Sequence, residues 1–239
     1  MTIERLVALL KAVTELMAVL VWPGIVLFIL MRYGTGIRDF FADLGEFTLK
    51  GAGVEASMKR RQAEAAAALG AATTKSQDKS ISPEQVLRQT EQAAAVVRST
   101  ATPRVMRRVD GATILWVDDR PDNNIYERRA LEALGFRIVL SASTEDALEQ
   151  TRRQRFDVII SDVGRPPDNR AGYTLLDALR KRGDLTPFII YASSDDPKHR
   201  AEAIQHGAVG STNTPNDLVR LVVESVLGQG AVAQYASRL

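Results

Sequence analysis

The sequence predicts an α/β protein whose C-terminal half is a doubly wound, five-stranded parallel sheet, preceded by an N-terminal transmembrane helix and a helical stalk. Three observations predict it. From Gly111 onward, short apolar runs alternate with helical stretches, the pattern of strands buried on both faces between crossover helices. Near the amino terminus, Leu16 to Met31 runs without a charge. Between these parts, residues 51–110 are Ala-rich and hold no Phe, Trp or Tyr, so they lack the material for a core of their own. The expected organisation is an anchor over 1–50, a stalk over 51–110, a folded domain over 111–228 and a tail over 229–239.

The apolar run extends back through Ala12, Val13 and Thr14 past Glu15. About 20 residues, 12–31, match the roughly 30 Å of a bilayer core. Pro23-Gly24 falls near its middle, where a membrane helix absorbs a kink. Glu15 lies one turn after Lys11, an ion pair at the edge of the span. A cleavable leader would show a shorter apolar region and a small-residue cleavage site, whereas Met31-Arg32-Tyr33-Gly34 follows here. Arg32, Arg38, Lys50 and Lys59-Arg60-Arg61 after the span outweigh Arg5 and Lys11 before it. This bias orients the chain as a single-pass protein of the inner (cytoplasmic) membrane with its C-terminal domain in the cytoplasm.

In the stalk, Glu55 to Leu69 favours a helix ended by Gly70, and Ala71 to Ser80 is a polar joint. Ser82-Pro83-Glu84-Gln85 is a helix start with Ser at the cap, Pro at the first helical position and Gln closing a capping box. The second helix then runs to about Arg98. Val86, Ala93 and Val97 leave a thin apolar stripe, which makes the stalk the expected place for homodimer contact. Arg104, Arg107 and Arg108 form a basic cluster suited to anionic headgroups; without a recognition motif or interleaved aromatics, nucleic acid is not an expected partner.

The domain itself reads element by element. Thr113 to Asp118 is a strand buried on both faces, Asn124 to Leu134 an amphipathic helix stopped by Gly135, and Arg137 to Ala142 a second strand. Ser143-Thr144-Glu145-Asp146 caps the next helix. Asp157 to Asp162 is a strand, Tyr173 to Lys181 a helix, Phe188 to Ala192 a strand, Pro197 to His206 a helix closed by Gly207, and Ala208 to Thr212 a short strand. Val219, Val222, Val223 and Val226 then stripe the last helix at i, i+3, i+4 and i+7. Right-handed crossovers make a doubly wound sheet the expected assembly.

Zero Cys excludes a disulfide framework, a thiolate zinc site and a cysteine nucleophile, and two His residues leave little imidazole for metal or triad chemistry. The carboxylates remain. Chemistry in such sheets collects at the C-terminal strand ends near the switch point. Asp118-Asp119 end the first strand and Asp162 ends the third, so three carboxylates converge if those strands are neighbours. Close carboxylates repel, and a hard divalent cation with oxygen ligands resolves the repulsion; Mg2+ suits such a set.

Residues 112–228 resemble a response-regulator receiver domain of flavodoxin-like fold. Ile114-Leu-Trp-Val-Asp-Asp-Arg-Pro-Asp-Asn123 stands where that family has its acidic pair followed by Pro and Asn, and Asp157-Val-Ile-Ile-Ser-Asp162 where it has the phosphoacceptor. Gly207-Ala208 and Thr214-Pro215 fit the end of its fifth strand. The resemblance covers about half the chain. It implies that Asp118, Asp119, Asp162 and the main-chain carbonyl near Gly164 hold Mg2+, and that Asp162 attacks a phosphoryl group to form an aspartyl phosphate. It also implies a histidine kinase or phosphotransfer protein as donor, and no enzymatic activity beyond turnover of that aspartate.

The departures are equally specific. The family's Thr or Ser after the fourth strand falls on Ala192, with Ser193 adjacent as a substitute phosphoryl contact. Its Lys falls on Thr214, and its aromatic switch position on Ser211. Arg165, from a loop about two residues longer than the common form, is the first candidate to replace the missing positive charge, and Lys198 is a remoter one. Two functions from different classes follow: a membrane-tethered phosphorelay receiver, and a pseudo-receiver acting as a phosphorylation-independent docking module. A flavodoxin-like nucleotide-directed enzyme is disfavoured, because no Gly-rich phosphate loop follows the first strand. A DNA-binding output is not expected, since only Gly228 to Leu239 follows the last helix.

Overall fold

Strands from the C-terminal half are apolar at successive positions because both of their faces are covered. The structure, a computed structural model, describes residues 53–75, 82–192 and 197–236. The expected transmembrane span 12–31 and Ser193 lie outside the described residues. Among the described residues, no helix is long and apolar enough to cross a membrane.

Five strands form one parallel sheet in the order β2-β1-β3-β4-β5: β1 (Thr113–Val117), β2 (Arg137–Ser141), β3 (Val158–Ser161), β4 (Phe188–Tyr191) and β5 (Gly210–Thr212). Between them run a 3-10 turn (Pro121–Asn124) with α4 (Ile125–Leu134), then α5 (Thr144–Arg153), α6 (Ala171–Lys181) and α7 (Pro197–Gln205), with α8 (Pro215–Ala236) closing the chain. The expected five-stranded parallel architecture is therefore present. Alternate strand residues serve opposite faces. Ile114, Trp116, Val158, Ile160 and Ile189 pack with α4 and α8, whereas Leu115, Val117, Ile159, Phe188 and Ile190 pack with α5, α6 and α7. Because the order reverses at β1, the ends of β1 and β3 lie side by side, with Val117 in register with Ser161.

The N-terminal helices correct the expected stalk. The chain from Ser57 to Leu239 is one compact unit. A helix over 53–75 (α1), α2 (Pro83–Thr100) and α3 (Pro103–Val109) bring Ala65, Leu69, Ala93, Val97, Met106 and Val109 into the same core as Leu131, Leu134, Leu218 and Val222. Small side chains that looked too sparse for a core instead let helices approach an existing one. The Ala93–Val97 stripe, read as a contact between two chains, is buried within one. Gly70 does not end α1; it is buried, and a Cβ there would lie 3.6 Å from the Thr90 backbone of α2, so it marks a helix crossing. The capping box at Ser82 and Gln85 is formed as expected, with both reciprocal hydrogen bonds present. Arg104, Arg107 and Arg108 are exposed on α3 while Met106 and Val109 face inward. Residues 229–236, expected as tail, continue α8; the segment carries no Pro and three helix-favouring Ala residues.

One residue fastens this layer. Arg61 of α1 donates through Nη2 to the Leu134 carbonyl at 2.9 Å and through Nε to the Ala133 carbonyl at 3.1 Å, and it pairs with Asp110 at 2.7 Å. A guanidinium thus satisfies carbonyls at the C-terminus of α4, where the macrodipole favours positive charge. Gly135 ends α4 with φ +109, a conformation that favours Gly, and a Cβ there would fall 2.0 Å from Arg61 Nη2.

Candidate functional site

Both strand ends continue the ladder for one residue. Asp118 N–H donates to the Ser141 carbonyl at 2.9 Å and Asp162 N–H to the Val117 carbonyl at 3.0 Å, so the sheet itself fixes where these carboxylates begin. Asp118, only 5% exposed, accepts from the Arg120 N–H at 2.7 Å and from Asn124 Nδ2 at 2.6 Å. Asp162 accepts from the Val163 N–H at 2.6 Å. Asp119 faces the Arg120 guanidinium at 3.6 Å. One oxygen from each of Asp118, Asp119 and Asp162 lies within 4.8 Å of the others. The three predicted carboxylates therefore converge.

The backbone behind them is closely fitted. Gly172, at the start of α6, donates its N–H to the Val163 carbonyl at 2.8 Å, and a Cβ there would lie 2.5 Å from the Asp162 carbonyl oxygen. Only Gly lets α6 approach the Asp162 backbone this closely. Burial pushes the Asp162 carboxyl above its ordinary range, and the charges of Asp118 and Asp119 push the same way, against the Val163 N–H and the Arg165 charge. Such a set is short of positive charge. Hard oxygen ligands at this spacing fit a Mg2+-sized cation, whose charge would offset theirs.

A cavity of about 760 Å3 opens over the carboxylates. Gly164, Ala192 and Thr214 line it, as their places in the sequence imply. Thr214 turns its hydroxyl to Asp217 at 2.9 Å, and Ser211 is buried in β5. Arg165 is a correction. It is 3% exposed, and its guanidinium donates to Ser161 Oγ at 2.7 Å, the Asp162 carbonyl at 2.9 Å and Thr144 Oγ1 at 3.1 Å. The paired backbone bonds of Arg165 with Asp168, 2.9 and 2.8 Å, turn the loop so that this side chain points under β3 rather than into the cavity. It stitches strand ends together and does not line the cavity.

Among the cavity residues that escaped the sequence reading are Lys75, Glu127 and Tyr191. Glu127 is 5% exposed; Tyr191 donates its hydroxyl to Glu127 Oε1 at 3.1 Å, while Oε2 is buried without a hydrogen-bond partner. Burial raises the Glu127 carboxyl above its ordinary value, and it raises the Tyr191 phenol, with the Glu127 charge adding to that. A charged residue on the buried stripe formed by Ala130, Leu131 and Leu134 was the available signal. Lys75 gave none, because its place depends on how α1 packs.

The family model "Response regulator receiver domain" matches residues 114–224. Residues 114–224 form a response regulator receiver domain. The chain is 34% identical over 119 residues to the transcriptional activator protein IrlR of Burkholderia pseudomallei, covering 49% of this chain and 51% of that protein. It is 29% identical over 120 residues to the probable transcriptional regulatory protein TcrX of Mycobacterium tuberculosis, covering 49% and 50%. The chain thus spans about half the length of these curated relatives. Among solved structures, the chemotaxis response regulator CheY4 of Vibrio cholerae is 27% identical, with a TM-score of 0.43, over 48% of this chain and 98% of that one. The likeness over residues 114–224 is to the receiver domains of response regulators.

Proposed function

We propose that this protein is a membrane-anchored receiver that accepts a phosphoryl group on Asp162 from a histidine kinase or phosphotransfer protein. The observation that carries this reading is the convergence of Asp118, Asp119 and Asp162 at the ends of two neighbouring strands, beneath an open cavity. An Asp162 carboxylate oxygen forms the new bond to phosphorus as the bond from phosphorus to the donor's leaving atom breaks, that atom keeping the electron pair. Asp118 and Asp119, with Asp162 and the Gly164 main chain, would hold Mg2+, which neutralises charge on the phosphoryl oxygens. Asn124 and the Arg120 N–H keep Asp118 in place for that task. Anchoring by residues 12–31 is supported by their uncharged length.

Trp116 packs edge-on against Tyr191, ring centroids 6.0 Å apart, beside the cavity. In the full chain carrying Trp22→Phe it is the sole Trp and reports on the pocket. Mg2+ is expected to change its fluorescence, and acetyl phosphate or beryllofluoride to change it again, with Asp162→Asn abolishing the second response. A Mg2+ response with no Asp162-dependent second step would instead establish the phosphorylation-independent docking module. That alternative draws support from Thr214 and Ala192 standing where phosphoryl contacts are expected.

A further inference from the structure

Phosphorylation leaves this pocket with more negative charge than its described walls offset. A phosphoryl group carries close to two negative charges. Added to Asp118 and Asp119, and set against one divalent cation, it leaves about two negative charges unbalanced. Cations reaching the cavity wall are few. Arg165 is buried in its backbone network, and Thr214 supplies only a hydroxyl already given to Asp217. Arg120 is mostly exposed and faces Asp119. The remaining cation among the described lining residues is Lys75, brought from outside the receiver domain by the last turn of α1.

We propose that Lys75 is the phosphoryl-binding cation of this pocket, an inference that rests on Asp162 being the phosphoacceptor. In the present structure its ammonium donates to the Asn123 carbonyl at 3.0 Å and lies 5.9 Å from the Tyr126 ring centroid, at the cavity rim. It does not figure among the main charges acting on Asp162, which are Asp118, Arg165 and Asp119. Engagement is therefore a swing of the flexible four-carbon stem from the rim to the phosphoryl oxygens. The base of that stem is fixed. Leu69 and Ala72 are fully buried, and Gly70 seats α1 against Thr90.

The test uses the full-length chain, with beryllofluoride binding followed by fluorine NMR and Mg2+ binding by Trp116 fluorescence in the Trp22→Phe background. Lys75→Gln is expected to weaken beryllofluoride binding about tenfold or more, the scale of a lost charge-assisted hydrogen bond. Mg2+ binding should be no weaker, since removing a cation does not repel another. Lys75→Arg should recover most of the beryllofluoride affinity. Lys75 is exposed, so its replacement spares the fold, which thermal melting checks. Unaltered beryllofluoride affinity in Lys75→Gln overturns the lysine assignment alone. No Asp162-dependent signal in the unaltered chain overturns the phosphoacceptor reading, and this inference with it.

Discussion

On one side of the sheet, Leu115, Val117, Ile159 and Ile190 meet a single layer of helices, α5 to α7; on the other, Ile114, Trp116, Ile160 and Ile189 meet α4 and α8, which are themselves covered by α1, α2 and α3. The difference shows in composition. α8 buries Leu218, Val219, Val222, Val223 and Val226, a stripe broad enough for the sheet and a further layer. On the single-layer side the burial is uneven: α6 buries Tyr173, Leu175, Leu176 and Leu179, whereas α5 fully buries only Ala147, with Leu148 partly buried against the core. The segment preceding the receiver is thus built into it on one side only. That side is also where Lys75, Glu127 and Tyr191 reach the pocket.

The sharpest way to break this comparison is to hollow each side in turn. Leu69 on α1 and Leu176 on α6 are both fully buried. If the second layer is integral, Leu69→Ala costs about 2–5 kcal/mol, the same range as Leu176→Ala. Urea unfolding of the full chain measures both. A negligible loss for Leu69→Ala would make α1 to α3 a detachable cover, returning them to the role of a stalk.

Arg165 sharpens the single-layer side. Its guanidinium joins the end of β3 to Thr144 of α5, supplying a polar tie where the other side has a second helix layer. Arg165→Ala strips a charged donor from Ser161 Oγ and the Asp162 carbonyl, at a cost of about 2–3 kcal/mol. Arg165→Lys is expected to recover little of this, because one ammonium cannot reach several acceptors held in a fork. A surface-like loss below about 0.5 kcal/mol would show that the network contributes nothing to holding the strand ends.

How much of this was legible follows from the range of the interactions involved. The sheet was, because burial on both faces writes continuous apolar runs such as Ile114 to Val117. The acidic site was legible in its residues, because Asp118 and Asp162 end apolar strands; that those strands are neighbours is set by the sheet order β2-β1-β3. The Ser82 cap was also legible, being set within four residues. Residues 53–109 misled because Ala65, Ala93 and Val97 look poor in apolar mass; the core they join is supplied by α4 and α8, far along the chain. Arg165 misled for a related reason. Its charge was visible, but its direction is set by the Arg165–Asp168 backbone pair, which composition does not encode. Lys75 combines both difficulties, being a common helix residue whose role exists only through tertiary packing.

The smallest expected effect lies where the doubly covered side meets the cavity. Glu127 is buried on α4 with Oε2 unpartnered, and burial raises its carboxyl pKa in the folded state. A carboxyl that holds its proton more tightly when folded contributes stability below its unfolded pKa, and that contribution is lost as pH rises through the folded value. Stability of the unaltered chain therefore carries a decline from about pH 4.5 upward that originates here. Glu127→Gln keeps an acceptor for the Tyr191 hydroxyl and removes the ionisation. The variant is expected to match the unaltered chain in acid and to exceed it by roughly 1 kcal/mol at neutral pH, the scale of one unsatisfied buried polar group. Urea midpoints measured across pH for both chains read this directly. Parallel curves would mean that Glu127 pays no desolvation cost on folding, so that the second helix layer leaves this corner of the pocket as open to water as the single-layer side.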